Sequence, residues 1–295
     1  MADNPGLPPG AAHELALQFP PAQRHTDPDT IAIYATDDTP RSVPPAAVVF
    51  PADAEQAAAA VRTAYRHGLP VVARGAGSGN VGGALPVPGA IVVSFECLDR
   101  ILEVDPANRL MRVQPGVTNQ AVQDAAAEHG LFWPPDPGSA PYCQVGGNLA
   151  MNSAGPGAVK RGVTGDWVLG LEAVTGTGET FRAGTRTTKG VVGYDLTRLL
   201  IGSEGTLGLV TEATLRLWPR PAVKRTARAA FASVADAGAA VGRIMEGAAV
   251  PSALEFMDSL AIEALRRGGF DHDLPDGTGA VLMVEADGSP EAVAA

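Results

Sequence analysis

The sequence predicts an α+β protein. Three observations carry that assignment. Short apolar runs of strand length recur along the chain, "AVVFP" (47–51), "LPVVAR" (69–74) and "AIVVSF" (90–95) among them. Between some of these runs lie helices with a start and a stop signal; between others lie only tight turns. The last quarter reads β-α-β-α-β, which is the order of a sheet with helices against it.

The elements follow in chain order. Residues 1–43 are rich in Pro, Asp and Thr and show no clear period, so they read as an ill-ordered tail with a short helix near Ala11–Gln18. "DAEQAAAAVRTAYRHG" (53–68) is a helix, with Asp53 as N-cap and Gly68 as stop, and with the flanking strands it makes a β-α-β start. "RILEVD" (100–105) and "RLMRVQPG" (109–116) are strands joined by the turn "DPAN". "TNQAVQDAAAEHG" (118–130) is a helix opened by Thr118. "VLGLEAVTGTGETFRAG" (168–184) is a hairpin turning at Thr177–Gly178, "DLTRLLIGS" (195–203) a short helix, and "LGLVTEATLRLWP" (207–219) a strand with a Pro stop. Pro219–Ala222 marks a boundary. Beyond it come a strand "KRTARAAF", a helix 233–248, a strand 252–258, a helix 259–269 and a strand 279–288. Ser289, Pro290 and Glu291 then open a helix that Ala295 cuts short, so the chain reads as a fragment and the apolar residues of "AVLMVEA" as exposed on an uncovered sheet.

The bulk numbers exclude several classes. The formal net charge of −10, with no block of Lys or Arg, argues against nucleic acid and anionic membrane as partners. There is no run of 18 apolar residues, hence no transmembrane segment, and no signal-peptide pattern. Cys97 and Cys143 form no C-x-x-C pair, so no metal or iron–sulfur site is expected in this chain, and a reducing, cytoplasmic setting fits.

"VVARGAGSGNVGGALPVPGAIVV" (71–93) contains Gly77, Gly79 and Gly82 in the spacing G-x-G-x-x-G. A Rossmann pyrophosphate loop needs a helix directly after the glycines. Here Gly83, Pro86, Pro88 and Gly89 follow, then a strand, so no helix starts before residue 96. No Gly-Lys-Ser/Thr follows either, which excludes a P-loop. What remains is a strand–loop–strand. Its amides over Gly75–Gly79 suit a phosphate, with Arg74 adding a positive charge, and a flexible surface loop accounts for the same residues.

Two further glycine-dense stretches decide between these readings: "PPDPGSAPYCQVGGNLAMNSAG" (134–155) and "GSEGTLGLVTEATLRL" (202–217). Together with "PVVARGAGSGNVGGA", "VQPGV", "VKRGVTGDWVLGLE", "GYDLTRLLIGSEGTLGLVTEATLRL" and "LEFMD", spread in order over about residues 44–260, they resemble the FAD-binding PCMH-type proteins of the vanillyl-alcohol oxidase / p-cresol methylhydroxylase superfamily. Within it the chain is most similar to the glycolate oxidase flavin subunit and the D-lactate dehydrogenases.

The resemblance implies a two-subdomain FAD-binding domain at 44–219, followed at 222–295 by the start of a ferredoxin-like α+β cap, after an N-terminal tail. It implies that the backbone of Arg74, Gly75, Ala76, Gly77, Ser78 and Gly79 wraps the pyrophosphate. Asp136, Pro137, Ser139, Gly146, Gly147, Asn148, Asn152 and Gly155 would line the flavin and its ribityl chain. Glu204, Gly208 and Val210 would sit by the adenosine part. Glu255 and Met257 would face the flavin from the cap, although a half-buried strand explains the same alternation. Covalently flavinylated relatives carry a histidine or cysteine in an attachment loop. The first loop here has neither, and Cys143 reads as a small buried hydrophobe, so non-covalent FAD is expected.

The implied activity is oxidation of a small 2-hydroxy acid, glycolate or D-lactate, by hydride transfer to flavin N5. Electrons would pass to oxygen or to an iron–sulfur, cytochrome or quinone partner, which would also provide any membrane association. Resembling enzymes keep a histidine-rich catalytic and metal motif further along the chain. His13, His25, His67, His129 and His272 read as structural, so no catalytic base is named. The alternatives are a flavin-binding fragment or accessory subunit without turnover, and, more weakly, a nucleotide-sugar reductase of the same superfamily.

Overall fold

The computed structural model describes residues 6–270 and 273–294. His272 lies outside the described residues. The chain divides into two compact units. The first comprises the residues up to Trp133, Ser139–Ser153 and Thr164–Trp218; the second comprises Pro134–Gly138, Ala154–Val163 and the chain from Pro219 onward.

The first unit opens with α1 (Pro9–Gln18), β1 (Arg24–His25) and α2 (Pro28–Ile33). These lie in the segment expected to be an ill-ordered tail. The short helix expected near Ala11–Gln18 is α1, but the rest of the segment is ordered too, because several of its apolar residues are buried. Leu15 and Phe19 are buried against Ala57, Val61 and Ala64 of the next helix, and Ile31 packs on Val48 and Val92. Low amphipathy in α1 hid this from the periodicity. Next come β2 (Ala47–Val49), α3 (Ala54–His67), β3 (Val71–Arg74) and β4 (Ile91–Ser94). They form a sheet of order β1-β2-β4-β3, in which β4 pairs in parallel with both β2 and β3 and β1 is an antiparallel edge. Strands covered on both faces read as continuous apolar runs, which is why Ala47, Val48, Val49, Ile91, Val92 and Val93 are all buried. Asp53 caps α3 by accepting from the Gln56 amide, and Gly68 ends it at φ 64°.

The chain continues with β5 (Ile101–Asp105), β6 (Leu110–Val113), α4 (Asn119–Ala127), β7 (Leu131–Phe132), α5 (Val145–Met151), α6 (Ala158–Arg161), β8 (Val168–Val174), β9 (Thr180–Gly184), α7 (Leu196–Leu200), β10 (Leu209–Arg216) and β11 (Trp218–Pro219). A second, antiparallel sheet runs β5-β6-β10-β8-β9. Met111, Val113, Leu171, Ala213 and Leu215 from this sheet pack with Val122 and Ala126 of α4, Leu149 of α5, Leu200 of α7 and the fully buried Trp133. The Gln123 side chain, on α4, donates to the Trp133 carbonyl at 2.6 Å and accepts from its amide at 3.2 Å.

The second unit contains β12 (Val223–Phe231), α8 (Val234–Glu246), β13 (Ala253–Asp258), α9 (Ser259–Arg267), β14 (Ala280–Gly288) and α10 (Pro290–Ala294). Its sheet is antiparallel with order β12-β14-β13. Ala280 and Leu282 pack against Ala237 and Ala240 of α8. The expected exposure of "AVLMVEA" is therefore corrected: Ala280, Val281 and Leu282 are buried, and Met283 is the apolar residue of the run that stands out, at 40% exposure. Ser289 caps α10 by accepting from the Ala292 amide.

Candidate cofactor site

The loop after β3 runs from Gly75 to Ala90 and enters β4 with no helix, as the proline spacing requires. It faces a cleft within the first unit. The walls are this loop, the first turn of α5, the Ser203–Gly205 loop and the start of β10, with Phe95, Leu200 and Leu209 as apolar lining. Open solvent at its mouth included, the cleft measures about 1040 Å³.

Each wall is placed by a close approach that bulk would prevent. Gly75 passes the second motif so closely that a Cβ would lie 3.3 Å from Gln144 Oε1. Gly146 sits in the first turn of α5, where a Cβ would meet Pro115 at 2.7 Å, and its amide donates to the Pro115 carbonyl at 2.8 Å. The sequence reading treats this stretch as glycine-dense loop; the structure makes Val145–Met151 a helix, because Asn152 (φ 48°) supplies the left-handed end that stops it. The third loop hangs on that helix through Gly202 N–H to Leu149 C=O and Glu204 N–H to Ala150 C=O, both 2.9 Å. Glu204 is held at φ 54°, a strained backbone for a residue with a side chain. Its carboxylate oxygen is the neighbour, at 3.3 Å, of a Cβ built on Gly83. Asn148 is buried; its amide donates to Cys143 Sγ at 3.4 Å and its Oδ1 accepts from Asn119 at 3.1 Å.

Arg74, Gly75, Ala76, Gly77, Ser78, Gly79, Ser139, Gly146, Gly147, Asn148, Glu204, Gly208 and Val210 thus converge on one cleft. Asn152 does not line it, and its Oδ1 instead accepts from the Gly165 amide at 2.8 Å. Asp136, Pro137 and Gly155 belong to the second unit. There Asp136 accepts from the Gly157 amide at 3.1 Å, and a Cβ on Gly155 would fall 2.1 Å from the Asp136 carbonyl. Glu255 and Met257 are also in the second unit. They pair with Met283 and Val281, on the sheet face opposite Ala280 and Leu282.

Sequence reasoning missed Gln144 and Ser203. Both line the cleft, and the buried Gln144 Oε1 and Ser203 Oγ have no protein hydrogen-bond partner. The signal was available: both stand inside the glycine motifs that were singled out, but neither is a glycine or a charge.

The unmet hydrogen-bonding capacity tests what the cleft holds. Among the described residues, nothing accepts from the backbone N–H groups of Ala76, Gly77, Ser78 or Gly79. The buried, orphaned Gln144 Oε1 and Ser203 Oγ are costly unless a ligand meets them, and the amides of the partly exposed loop are free to donate to one. Four successive donors, small side chains, an apolar lining and a single carboxylate, Glu204, among the walls suit a molecule with a phosphate chain and an aromatic ring.

Comparison with known proteins gives the same assignment. Residues 45–184 match the FAD binding domain family, and residues 220–295 match the C-terminal domain of FAD linked oxidases. The chain belongs to the FAD-linked oxidase family. FAD, the cofactor of this family, fits the cleft. Among relatives, the glycolate oxidase subunit GlcD of Bacillus subtilis is 40% identical over 265 residues, covering 88% of this chain and 56% of the relative. The Escherichia coli K12 protein of the same name is also 40% identical over 265 residues, covering 90% and 52%. The D-lactate dehydrogenase of Archaeoglobus fulgidus is 40% identical over 235 residues, covering 78% and 52%. The chain thus spans about half the length of the curated relatives it matches. Among solved structures, alkyldihydroxyacetonephosphate synthase superposes with a TM-score of 0.82 over 100% of this chain and 58% of its own, at 21% identity, which is a likeness of fold. The helices and sheets of both units accord with a PCMH-type α+β fold. Among the described residues no helix is long and apolar enough to cross a membrane.

Proposed function

We propose that this chain is the FAD-binding part and the beginning of the cap, about residues 44–219 and 222–295, of a cytoplasmic oxidoreductase acting on a small 2-hydroxy acid of the glycolate or D-lactate type. The observation that carries the proposal is the row of unpaired amides at Ala76–Gly79, in a loop that lines an apolar-walled cleft, in a chain of this family. FAD, when bound, supplies a two-electron acceptor at N5 for the hydride of the substrate C–H.

The chain's own contribution is binding and exclusion. The Ala76–Gly79 amides take the pyrophosphate oxygens. Gln144 and Ser203 meet cofactor groups with their orphaned polar atoms. Glu204, Gly208 and Val210 border the adenosine part. The small residues Gly146 and Gly147 leave room beside the ring, while Phe95 and Leu209 keep water out. Electrons leave to an iron–sulfur, cytochrome or quinone partner subunit. The relatives named as subunits of glycolate oxidase support that last step.

Anaerobic titration of the flavin-loaded protein tests the reading. Glycolate or D-lactate bleaches the flavin absorbance and L-lactate does not. A flavin that dithionite reduces but no 2-hydroxy acid does removes the substrate assignment.

A further inference from the structure

Among the described residues, Arg74 is the one cation in the walls of the cleft, which makes it an obvious partner for a phosphate. Its surroundings say otherwise. The side chain is 8% exposed. Nη1 donates to the Thr36 carbonyl at 2.6 Å, and the guanidinium carbon lies 5.5 Å from the centre of the Tyr34 ring. Glu96 and Asp37 stand close enough to stabilise its charge, so a counter-charge is already present. On its other side is Gly77, at φ 69°, where a Cβ would fall 2.2 Å from Nη2. The guanidinium therefore fills the space under the loop between the Tyr34 ring and the Gly77 backbone.

Tyr34 and Thr36 do not line the cleft; they belong to the segment after α2. That segment is itself fixed. The Tyr34 hydroxyl donates to Glu96 Oε1 at 3.0 Å, Ser94 Oγ donates to the same oxygen at 2.9 Å, and the Tyr34 ring meets Phe50 edge-on at 5.4 Å. It also holds the far end of the loop, where the Asp38 amide donates to the Gly79 carbonyl at 3.1 Å.

We propose that Arg74 is a positioning residue: anchored by Thr36 and Tyr34, it props the left-handed turn at Gly77 and so keeps the Ala76–Gly79 amides aimed into the cleft, making residues 34–38 a functional back wall of the cofactor loop. The role assigned to the amides rests on the FAD reading above; the propping itself does not. A planar, forked donor is required, because one edge must reach a carbonyl while the face lies against a ring. Lysine carries the charge but cannot do both.

The test uses the whole protein with Arg74→Lys, Arg74→Met, Tyr34→Leu and the Arg74→Met/Tyr34→Leu double variant. In flavin-free protein, hydrogen exchange of the Asp38 amide, which donates to the Gly79 carbonyl, is expected to rise about tenfold or more in each single variant, the loss of one charge-assisted hydrogen bond or its anchor. FAD affinity is expected to fall about tenfold or more in each, lysine included, with the salt dependence of binding unchanged from wild type. The double variant is expected to be no worse than Arg74→Met, since both residues act through one contact. The proposal is overturned if Arg74→Lys matches wild type while Arg74→Met loses the salt dependence, which is the behaviour of a direct phosphate ligand. It is equally overturned if Tyr34→Leu leaves exchange and affinity unchanged, if the double variant is additive, or if the variants unfold globally instead of loosening the loop. Should wild-type protein bind no FAD, the FAD reading fails, and the exchange measurements still decide the propping role.

Discussion

Gly77→Ala isolates the geometry of the cofactor loop in one methyl group. Two costs are separable. An L-residue in the left-handed region costs about 1–2 kcal/mol. The new Cβ also collides with the Arg74 guanidinium, 2.2 Å away. A solvent-exposed arginine would swing aside, but this one is buried and bonded to Thr36, so moving it forfeits a charge-assisted hydrogen bond of about 1.5–3 kcal/mol. The sum is about 2.5–5 kcal/mol. Gly82→Ala is the internal control, for Gly82 has a φ of 87° but nothing within 4 Å of its Cβ position. It carries only the backbone cost of about 1–2 kcal/mol. The energy divides between two observables. If the strained loop stays in place, denaturant unfolding of the flavin-free protein reports the cost as a lower midpoint at unchanged slope. If the loop relaxes locally, the cost moves to FAD binding, where about 3 kcal/mol is roughly a hundredfold in Kd. The sum of the two losses should be larger for Gly77→Ala than for Gly82→Ala by the value of the displaced hydrogen bond. Equal sums for the two alanines would refute the reasoning.

Three other outcomes are expected. Leu15→Ala, which empties a site 2% exposed against α3, lowers unfolding stability by about 2–5 kcal/mol; a change within measurement error would show that α1 is no part of the core. The flavin is released by acid or heat, because the Gly75–Gly79 loop offers no histidine or cysteine for attachment; yellow colour that stays with the precipitated protein contradicts this. Asp287 is buried, which alone would raise its pKa, but hydrogen bonds from Lys160 and Arg161 outweigh burial and hold its carboxyl below the ordinary range. Its stabilisation is therefore present above the unfolded-state pKa and lost as pH falls through the lower folded value. Asp287→Asn should cost about 1–3 kcal/mol near neutrality, and its gap from wild type should close in acid; a gap constant with pH would mean the ion pairs contribute nothing.

Legibility in the sequence follows the kind of signal each element carries. Helices announced by a side chain at the right offset are where the reading places them: Asp53, Thr118, Asp195 and Ser233 each accept from an amide three residues on. The buried parallel strands are legible because an apolar run of strand length has little else to do. The α5 helix is not, because Gly146 and Gly147 disfavour helix by propensity and are needed for approach to Pro115 and the cleft; tertiary contact overrides the local preference. The N-terminal segment is illegible for another reason. Its tie to the site runs through the Thr36 carbonyl and the Asp38 amide. Backbone groups have no signature in composition or period, so this tie to the site does not show in the sequence.

The glycine motif shows why the pattern alone misleads. G-x-G-x-x-G treats its three glycines alike, yet here they meet three different constraints. Gly77 combines a left-handed backbone with an arginine against its α-carbon; Gly82 has the left-handed backbone alone; Gly79 has neither, and a Cβ there would meet nothing within 4 Å. In a Rossmann loop the third glycine is required by a helix packing on its strand. With no helix after this loop, that requirement is gone, and the match at Gly82 reflects only a turn. The function of the stretch therefore resides in its first half, Arg74–Gly79, where amide donors are unpaired and the backbone is propped from behind. Substitutions in that half should act on FAD affinity, and a substitution at Gly82 chiefly on loop stability. That ordering follows from contacts and dihedral angles, and no spacing rule contains it.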